Sequence, residues 1–134
     1  MILVTGASGT TGRAVVSALL KRGAEVRAFV RQPASAESLR AQGVREVMTG
    51  DLGNGVDIRA AVRGVRAVYH VCPSFTDEWE IGQSIIQAAK AEGVEHFAYH
   101  SVFHPFVTRL PHHFEKLRVT DFLVDSQLPY TVLE

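Results

Sequence analysis

Three glycines stand at regular spacing near the amino terminus, in the segment V-T-G-A-S-G-T-T-G-R at residues 4–13. Gly6 suits a sharp turn, because a residue without Cβ readily adopts positive φ. Gly9 lets a phosphate approach the backbone, and Gly12 lets a following helix pack close to a sheet. The unpaired N–H groups of that helix's first turn attract an anion. The pattern therefore predicts a pyrophosphate site.

Hydroxyl side chains surround these glycines, and we expect Thr5, Ser8, Thr10 and Thr11 to add hydrogen-bond donors. The spacing is G-x-x-G-x-x-G rather than the commoner G-x-G-x-x-G, and a plain glycine-rich turn is the alternative interpretation. The segment lies between an apolar strand and an amphipathic run. That position favours a dinucleotide-binding turn.

The ends of the second and third predicted strands carry two further candidates. An acidic residue at the end of the second strand is typical of an NAD site, and Arg31 stands there instead. Since guanidinium groups bind phosphate in a bidentate manner, Arg31 favours NADP through its 2′-phosphate, with NAD still possible. Asp51 is a candidate acceptor for the adenine amino group, or alternatively a turn aspartate.

Four more residues are expected beside the cofactor. Leu52 follows Asp51, and Val71, Cys72 and Pro73 stand at the end of the fourth predicted strand. We do not expect Cys72 to act as a nucleophile, because nothing in its sequence context indicates a lowered pKa.

Alternating strands and helices position these residues. Apolar patterning and turn residues predict strands at 1–4, 25–30, 44–48, 66–72, 95–102 and 130–133, and helices at 12–22, 33–42, 57–63, 77–92 and 112–126. Asp77 and Glu80 resemble a capping pair for the fourth helix. The alternation predicts an α/β doubly wound parallel sheet, the Rossmann type, with about six strands in the order 3-2-1-4-5-6 and one domain over 1–134.

Composition excludes several classes of partner. The chain of 134 residues has 46% hydrophobic and 21% charged residues and a formal net charge of +0, so no basic field is available for nucleic acid or an anionic membrane. No apolar run reaches the roughly 20 residues of a membrane span. The single cysteine fits a reducing compartment, and we expect a cytoplasmic location.

Four motifs in combination resemble the NmrA-like family, an atypical branch of the short-chain dehydrogenase/reductase superfamily. They are T-G-A-S-G-T-T-G-R, F-V-R, G-D-L and S-Q-L-P-Y-T-V-L, and the resemblance covers essentially the whole chain. It implies an NAD(P)-binding Rossmann domain. Members of the family include NADPH-dependent quinone and phenylpropanoid reductases, tailoring enzymes of natural-product pathways, and redox sensors that bind cofactor without turnover.

The resemblance also implies three catalytic positions. Ser101 stands where the superfamily has a serine after the fifth strand, and Lys116 stands where it has the lysine of Tyr-x-x-x-Lys. Lys116 would bind the nicotinamide ribose and supply positive charge. The tyrosine is replaced by His112, one helical turn before Lys116, which would act as acid or base. The replacement argues against ordinary carbonyl reduction.

We expect no metal site among His100, His104, His112 and His113, because they lack fixed ligand spacing and an acidic cluster. The resemblance implies that the C-terminal part, which builds most of the substrate pocket in the family, is absent here. The alternatives are a pocket completed by another subunit, a fragment of a longer protein, and a chain whose main task is cofactor binding. The open sheet edge favours a homo-oligomer. The leading hypothesis is an NADP(H)-binding oxidoreductase domain that transfers hydride to a small aromatic or quinone-like molecule. A tailoring step in a natural-product pathway is one reaction of this kind. The alternatives are a non-catalytic redox sensor and an auxiliary partner of an oxygenase.

Overall fold

The computed structural model describes residues 1–73 and 77–134 of the protein. Six strands alternate with five helices along this part of the chain. The strands are β1 (Ile2–Val4), β2 (Val26–Val30), β3 (Glu46–Thr49), β4 (Ala67–His70), β5 (His96–His100) and β6 (Tyr130–Leu133). The helices are α1 (Thr10–Lys21), α2 (Ala34–Ala41), α3 (Gly55–Val62), α4 (Glu78–Ala91) and α5 (Pro111–Asp125).

The strands form one parallel sheet in the order β3-β2-β1-β4-β5-β6. This confirms the predicted fold class and strand order. In register, Val4 lies opposite Ala28 on one side and Tyr69 on the other. The order reverses beside β1, so a crevice opens between the carboxyl ends of β1 and β4, where ligands bind in such sheets.

Apolar side chains cover both faces of the sheet. Leu3 belongs to the larger core cluster, under α3, α4 and α5, and its neighbour Val4 to the smaller one, under α1 and α2. This split follows from the alternation of side chains along a strand. Full burial of an apolar side chain of this size contributes about 1.5–3 kcal/mol, so both helical layers are held firmly on the sheet.

Helices α4 and α5 approach each other closely at one glycine. A Cβ placed on Gly82 would lie 2.5 Å from a methyl carbon of Val119, which is itself fully buried. The absence of a side chain at position 82 therefore sets how near the two helices come. None of the helices in the described ranges is both long and apolar enough to cross a membrane.

The starts of several helices differ from the sequence expectation, and α3 begins at Gly55, two residues earlier than predicted. Helix α1 begins at Thr10, two residues earlier than predicted, which places Gly12 in its first turn. The predicted capping pair before α4 is wrong: Asp77 occupies the cap position, but its side chain makes no capping bond. Its ψ of 63° lies outside the extended region from which a cap side chain reaches back to the helix.

Candidate functional site

The turn between β1 and α1 requires glycine at two positions. Gly6 has a φ of +59°, and a Cβ there would lie 2.8 Å from the carbonyl oxygen of Val71 on the neighbouring strand end. A Cβ on Gly12 would lie 2.1 Å from the carbonyl oxygen of Gly6. Because these obstacles are backbone atoms, they cannot move aside. Packing within the protein thus accounts for both glycines.

Gly9 is different, because the protein leaves space around it. A Cβ on Gly9 would meet only the Gly6 carbonyl oxygen, at 3.4 Å. Gly9 is the N-cap of α1, where no side chain accepts a hydrogen bond from the helix and no acidic residue stands in the first turn. The first N–H groups of a helix have no partner within it. This end of α1 is therefore suited to an external anion.

A cleft of about 520 Å³ runs along the carboxyl ends of the central strands. This volume is within the range of small-molecule and cofactor sites. All of the predicted cofactor residues except Lys116 line it, namely Gly6, Ser8, Gly9, Thr10, Thr11, Gly12, Arg31, Asp51, Leu52, Val71, Cys72 and Pro73. Sequence reasoning missed six further residues of its walls: Phe29, Val30, Gln32, Ser35, Gly50 and Ile81. Three of these six, Val30, Gln32 and Gly50, adjoin Arg31 or Asp51 in the sequence and so belong to the same strand ends.

The two charged residues of the cleft are both exposed to solvent. Arg31 follows β2 on the cleft wall. Asp51 follows β3, and its Oδ1 accepts a hydrogen bond from the Gly53 N–H at 2.8 Å. The turn role considered for Asp51 is therefore present, together with its place on the wall. Arg13, at the start of α1, donates from Nε to the Ser8 carbonyl oxygen at 2.8 Å.

Lys116 does not line the cleft, because its side chain points into the protein. Its Nζ lies 3.0 Å from Oε1 of Glu78 and 3.3 Å from the carbonyl oxygen of His100. It also lies 5.3 Å from the centre of the Tyr99 ring. Both partners of the ion pair are almost fully buried. Lys116 is thus held by α4 and β5, beside the strand ends but behind the cleft wall.

Ser101 and His112 also lie outside the lining of the cleft. The Ser101 Oγ, just beyond β5, is buried and has no hydrogen-bond partner within residues 1–73 and 77–134. His112 lies in the first turn of α5. Burial, and then the positive charge of Lys116, lower the pKa of His112, while Glu78 opposes this shift. The imidazole is therefore neutral at neutral pH.

A group of polar side chains surrounds Lys116. One of them, Thr5, was expected among the hydroxyl donors of the glycine turn but lies outside the lining of the cleft; the sequence did not indicate the other three as site residues. We call Thr5, His70, Glu78, Tyr99 and Lys116 the buried polar cluster; each is buried. The Tyr99 hydroxyl donates to Oε1 of Glu78 at 2.8 Å, and the rings of His70 and Tyr99 stack with centroids 5.8 Å apart. A hydrogen bond of 2.9 Å joins the Thr5 Oγ and the His70 Nδ1.

Burial shifts two members of this cluster strongly. Burial first, and the charge of Lys116 second, lower the pKa of His70 to about 3. Burial first, and the carboxylate of Glu78 second, raise the pKa of Tyr99. His70 and Tyr99 are therefore neutral, and Glu78 with Lys116 forms an ion pair. A histidine within an apolar strand was the one sequence signal for this cluster.

The four histidines considered for a metal form local contacts. Nδ1 of His113 lies 3.0 Å from the carbonyl oxygen of His104. Nδ1 of His100 is hydrogen-bonded to the Tyr69 hydroxyl at 3.0 Å. The ring of His112 lies edge-on to that of His113, with centroids 6.2 Å apart. His104 lies in the loop before α5 and His112 and His113 in the first turn of that helix, whereas His100 ends β5.

Sequence comparison finds relatives over the whole chain. Quinone oxidoreductase 2 of Escherichia coli is 35% identical over 141 residues, which cover 99% of this chain and 47% of that protein. An NAD(P)H azoreductase of Xenophilus azovorans is 40% identical over 97 residues, covering 72% of this chain and 34% of that protein. The chain thus spans about half the length of the first of these relatives, and less of the second.

Structural comparison finds the same group of proteins. The quinone oxidoreductase of E. coli in complex with NADPH superposes with a TM-score of 0.87 at 33% identity, covering 98% of this chain and 47% of that one. A triphenylmethane reductase of Citrobacter sp. in complex with NADP(H) has a TM-score of 0.88 at 28% identity, with 98% and 48% covered. Both hold the cofactor that the sequence predicts here. The model of the NmrA-like family matches residues 1–133, and the chain belongs to that family.

Proposed function

We propose that this chain is the cofactor-binding part of an NADP(H)-dependent oxidoreductase that transfers hydride to a small aromatic or quinone-like substrate. The observation that carries the proposal is the cleft at the switch in strand order, whose walls contain twelve residues chosen from the sequence as cofactor contacts. The quinone, azo and triphenylmethane reductases among the relatives support the substrate class.

Gly9 supports a phosphate at the start of α1. Apart from its neighbours in the chain, the nearest atom of the described residues to a Cβ placed on Gly9 is the Gly6 carbonyl oxygen at 3.4 Å, so packing does not require glycine there. A pyrophosphate bound to the first N–H groups of α1 would approach the backbone at Gly9, where any side chain would block it. In this proposal Ser8, Thr10 and Thr11 add hydroxyl donors around the same phosphates.

Arg31 supports NADP over NAD. It stands where an acidic residue would otherwise bind the ribose 2′-hydroxyl, and its exposed guanidinium group faces the cleft without an ion-pair partner in the described ranges. A guanidinium group binds a phosphate through two parallel hydrogen bonds. The NADPH and NADP(H) in the two structural neighbours agree with this assignment.

Ser101, His112 and Lys116 are proposed for the reacting end. The Ser101 hydroxyl, with no partner in the described ranges, would donate a hydrogen bond to the substrate carbonyl. Neutral His112 would exchange a proton, and Lys116 would supply positive charge from behind the wall. A direct contact of Lys116 with the ribose requires its ion pair with Glu78 to open. Reduction of a quinone to a hydroquinone takes one hydride from NADPH and one proton from solvent, so little acid–base help is needed.

The activity is tested by following NADPH oxidation with a panel of quinones and azo dyes. We expect saturable turnover, reduced at least tenfold in Ser101→Ala with NADPH binding unchanged. Ser38→Ala, on the exposed face of α2, is the matched control and should retain full activity. Cofactor binding without oxidation by any acceptor would contradict hydride transfer and leave a binding module.

The cofactor assignment is tested separately with Arg31→Ala. Loss of a hydrogen-bonded charge contact costs about 1.5–3 kcal/mol, so we expect NADPH affinity to fall about tenfold or more. NADH affinity should change less than about twofold, and Arg40→Ala, also exposed but away from the cleft, should change neither. Equal weakening of NADPH and NADH would refute the 2′-phosphate contact.

A non-catalytic redox sensor is the second candidate. The burial of Lys116 against Glu78, with Ser101 and His112 also outside the cleft walls, favours it. Such a module would bind NADPH through the glycine turn and report the cofactor's state to another protein. Natural-product tailoring, an auxiliary role beside an oxygenase, and self-association remain predictions from the sequence.

A further inference from the structure

Three side chains with metal-binding atoms converge beside the cleft. One ring nitrogen of His70, the Sγ of Cys72 and one carboxylate oxygen of Glu78 all lie within 4.8 Å of one another. All three residues are buried. His70 ends β4, Cys72 follows two residues later, and Glu78 begins α4. Their sequence spacing does not resemble a metal motif, which explains why the sequence prediction considered other histidines.

The imidazole of His70 is held in the manner of a metal ligand. Its Nδ1 lies 2.9 Å from the Oγ of Thr5, which also accepts the Val71 N–H at 2.9 Å and donates to the Val71 carbonyl oxygen at 3.1 Å. Because the Thr5 hydroxyl donates its hydrogen to the Val71 carbonyl oxygen, it can only accept a hydrogen bond from His70. Nδ1 of His70 therefore carries the proton, and Nε2 carries the lone pair. Nε2 is buried and has no hydrogen-bond partner among the residues described. Metal-ligating histidines are usually fixed through their second nitrogen in this way.

The carboxylate of Glu78 shows the same division between its two oxygens. Oε1 accepts hydrogen bonds from the Tyr99 hydroxyl at 2.8 Å and from Lys116 Nζ at 3.0 Å. Oε2 is buried and lacks a partner within the described ranges. Both neighbours therefore orient the carboxylate through one oxygen only. A buried acceptor without a partner is costly, so its presence calls for a ligand.

We propose that His70, Cys72 and Glu78 form a binding site for a divalent transition metal, with Zn²⁺ as the ion that best suits the set. Nitrogen, thiolate and carboxylate together favour zinc over magnesium or calcium, which prefer oxygen ligands alone. The two anionic ligands balance the charge of the ion, and Lys116 remains on the other oxygen of Glu78. Cys72 also lines the cleft, so a fourth ligand position would open toward it.

The test begins with the unaltered chain and Co²⁺ as a spectroscopic substitute for Zn²⁺. Because the chain contains one cysteine, a thiolate-to-cobalt charge-transfer absorption reports on Cys72 alone. We expect this band to saturate at one Co²⁺ per chain and to disappear when Zn²⁺ is added. Absence of the band would overturn the proposal, and the two orphaned atoms would then be explained by a buried water.

Variants then locate the site. Cys72→Ser should abolish the charge-transfer band and weaken Zn²⁺ binding at least tenfold, as measured by calorimetry. Tyr99→Phe and Thr5→Val, which remove only the supporting hydroxyls, should weaken binding about 10–100-fold. The control is the double variant His104→Ala/His113→Ala, which should bind Zn²⁺ as tightly as the unaltered chain.

Equal affinity in the unaltered chain, Cys72→Ser and Tyr99→Phe would refute the assignment, because the metal would then bind elsewhere. Circular dichroism establishes that each variant is folded before it is titrated. If a variant does not fold, the cobalt spectrum of the unaltered chain decides the question. Neither measurement depends on NADPH or on enzymatic activity, so the metal site and the proposed oxidoreductase function stand or fall separately.

Discussion

The glycine turn and the buried polar cluster are neighbours at the carboxyl ends of the strands, joined at Thr5, and are built by opposite means. The turn takes ten consecutive residues, and backbone and missing side chains shape it. The cluster takes side chains from beyond β1, from β4 and β5, and from α4 and α5. Its members Thr5 and His70 are 65 residues apart.

This difference determines how each region fails when it is altered. In the turn, an added methyl group collides with carbonyl oxygens that are fixed by the sheet and the helix. In the cluster, a removed group leaves a charge or a hydrogen-bonding atom unpaired where water cannot reach it. The first region is limited by space and the second by electrostatics. The following substitutions separate the two cases.

The largest effect is expected from Lys116→Met, which leaves the Glu78 carboxylate buried without its cation. Breaking a buried ion pair from one side costs about 3–5 kcal/mol, and we expect the free energy of unfolding to fall by this amount in urea denaturation. The double variant Lys116→Met/Glu78→Gln should recover at least half of the loss. Arg45→Met, which breaks the exposed pair with Glu25, should cost less than about 1 kcal/mol. A similar cost at the two sites would contradict the electrostatic account.

Gly12→Ala should rank second, with a loss of about 3 kcal/mol, because its Cβ would overlap the Gly6 carbonyl group. Gly9→Ala is the matched control. Its φ of −77° suits alanine and its Cβ has space, so stability should change by less than about 0.5 kcal/mol. Under the proposed function, Gly9→Ala should nevertheless weaken NADPH binding at least tenfold. Unchanged NADPH affinity in this variant would contradict a phosphate at the turn.

The smallest effect is the pH dependence caused by His70. Because its pKa in the folded chain is about 3, below the ordinary 6.5, the unfolded chain binds more protons between these values. The contribution of neutral His70 to the free energy of unfolding is therefore complete above pH 6.5. It declines by about 1 kcal/mol per pH unit as the pH falls toward 3. Urea denaturation from pH 7 to pH 4 with a chelator present measures this slope. The dependence of the unfolding free energy on pH should be weaker in His70→Gln. It should not vanish, because the pKa values of His100 and His112 are lowered as well. An unchanged slope in this variant would refute the contribution of His70.

The sequence predicts the parts of the molecule that depend on local pattern. Strand order followed from the alternation of elements, and Arg31 and Asp51 reached the cleft because the ends of parallel strands share one edge. The position of Lys116 did not follow, because it depends on how closely α5 packs against α4. The capping prediction at Asp77 failed for a related reason: residue types suggest a cap, but the backbone angles at that residue do not supply one. Glu78 was missed since a charged residue in a first helical turn normally faces water.

The contact between Gly82 and Val119 sets the distance between the two helices that carry the Glu78–Lys116 ion pair. Glu78 stands one helical turn before Gly82 on α4, and Lys116 stands three residues before Val119 on α5. The absence of a side chain at Gly82 therefore determines how closely the Glu78 carboxylate and the Lys116 ammonium group approach each other. Positions 82 and 119 share one volume between the helices. A methyl group added at position 82 therefore fits only if a methyl group is removed at position 119. Charge placement in this protein is thus controlled from a site that carries no charge.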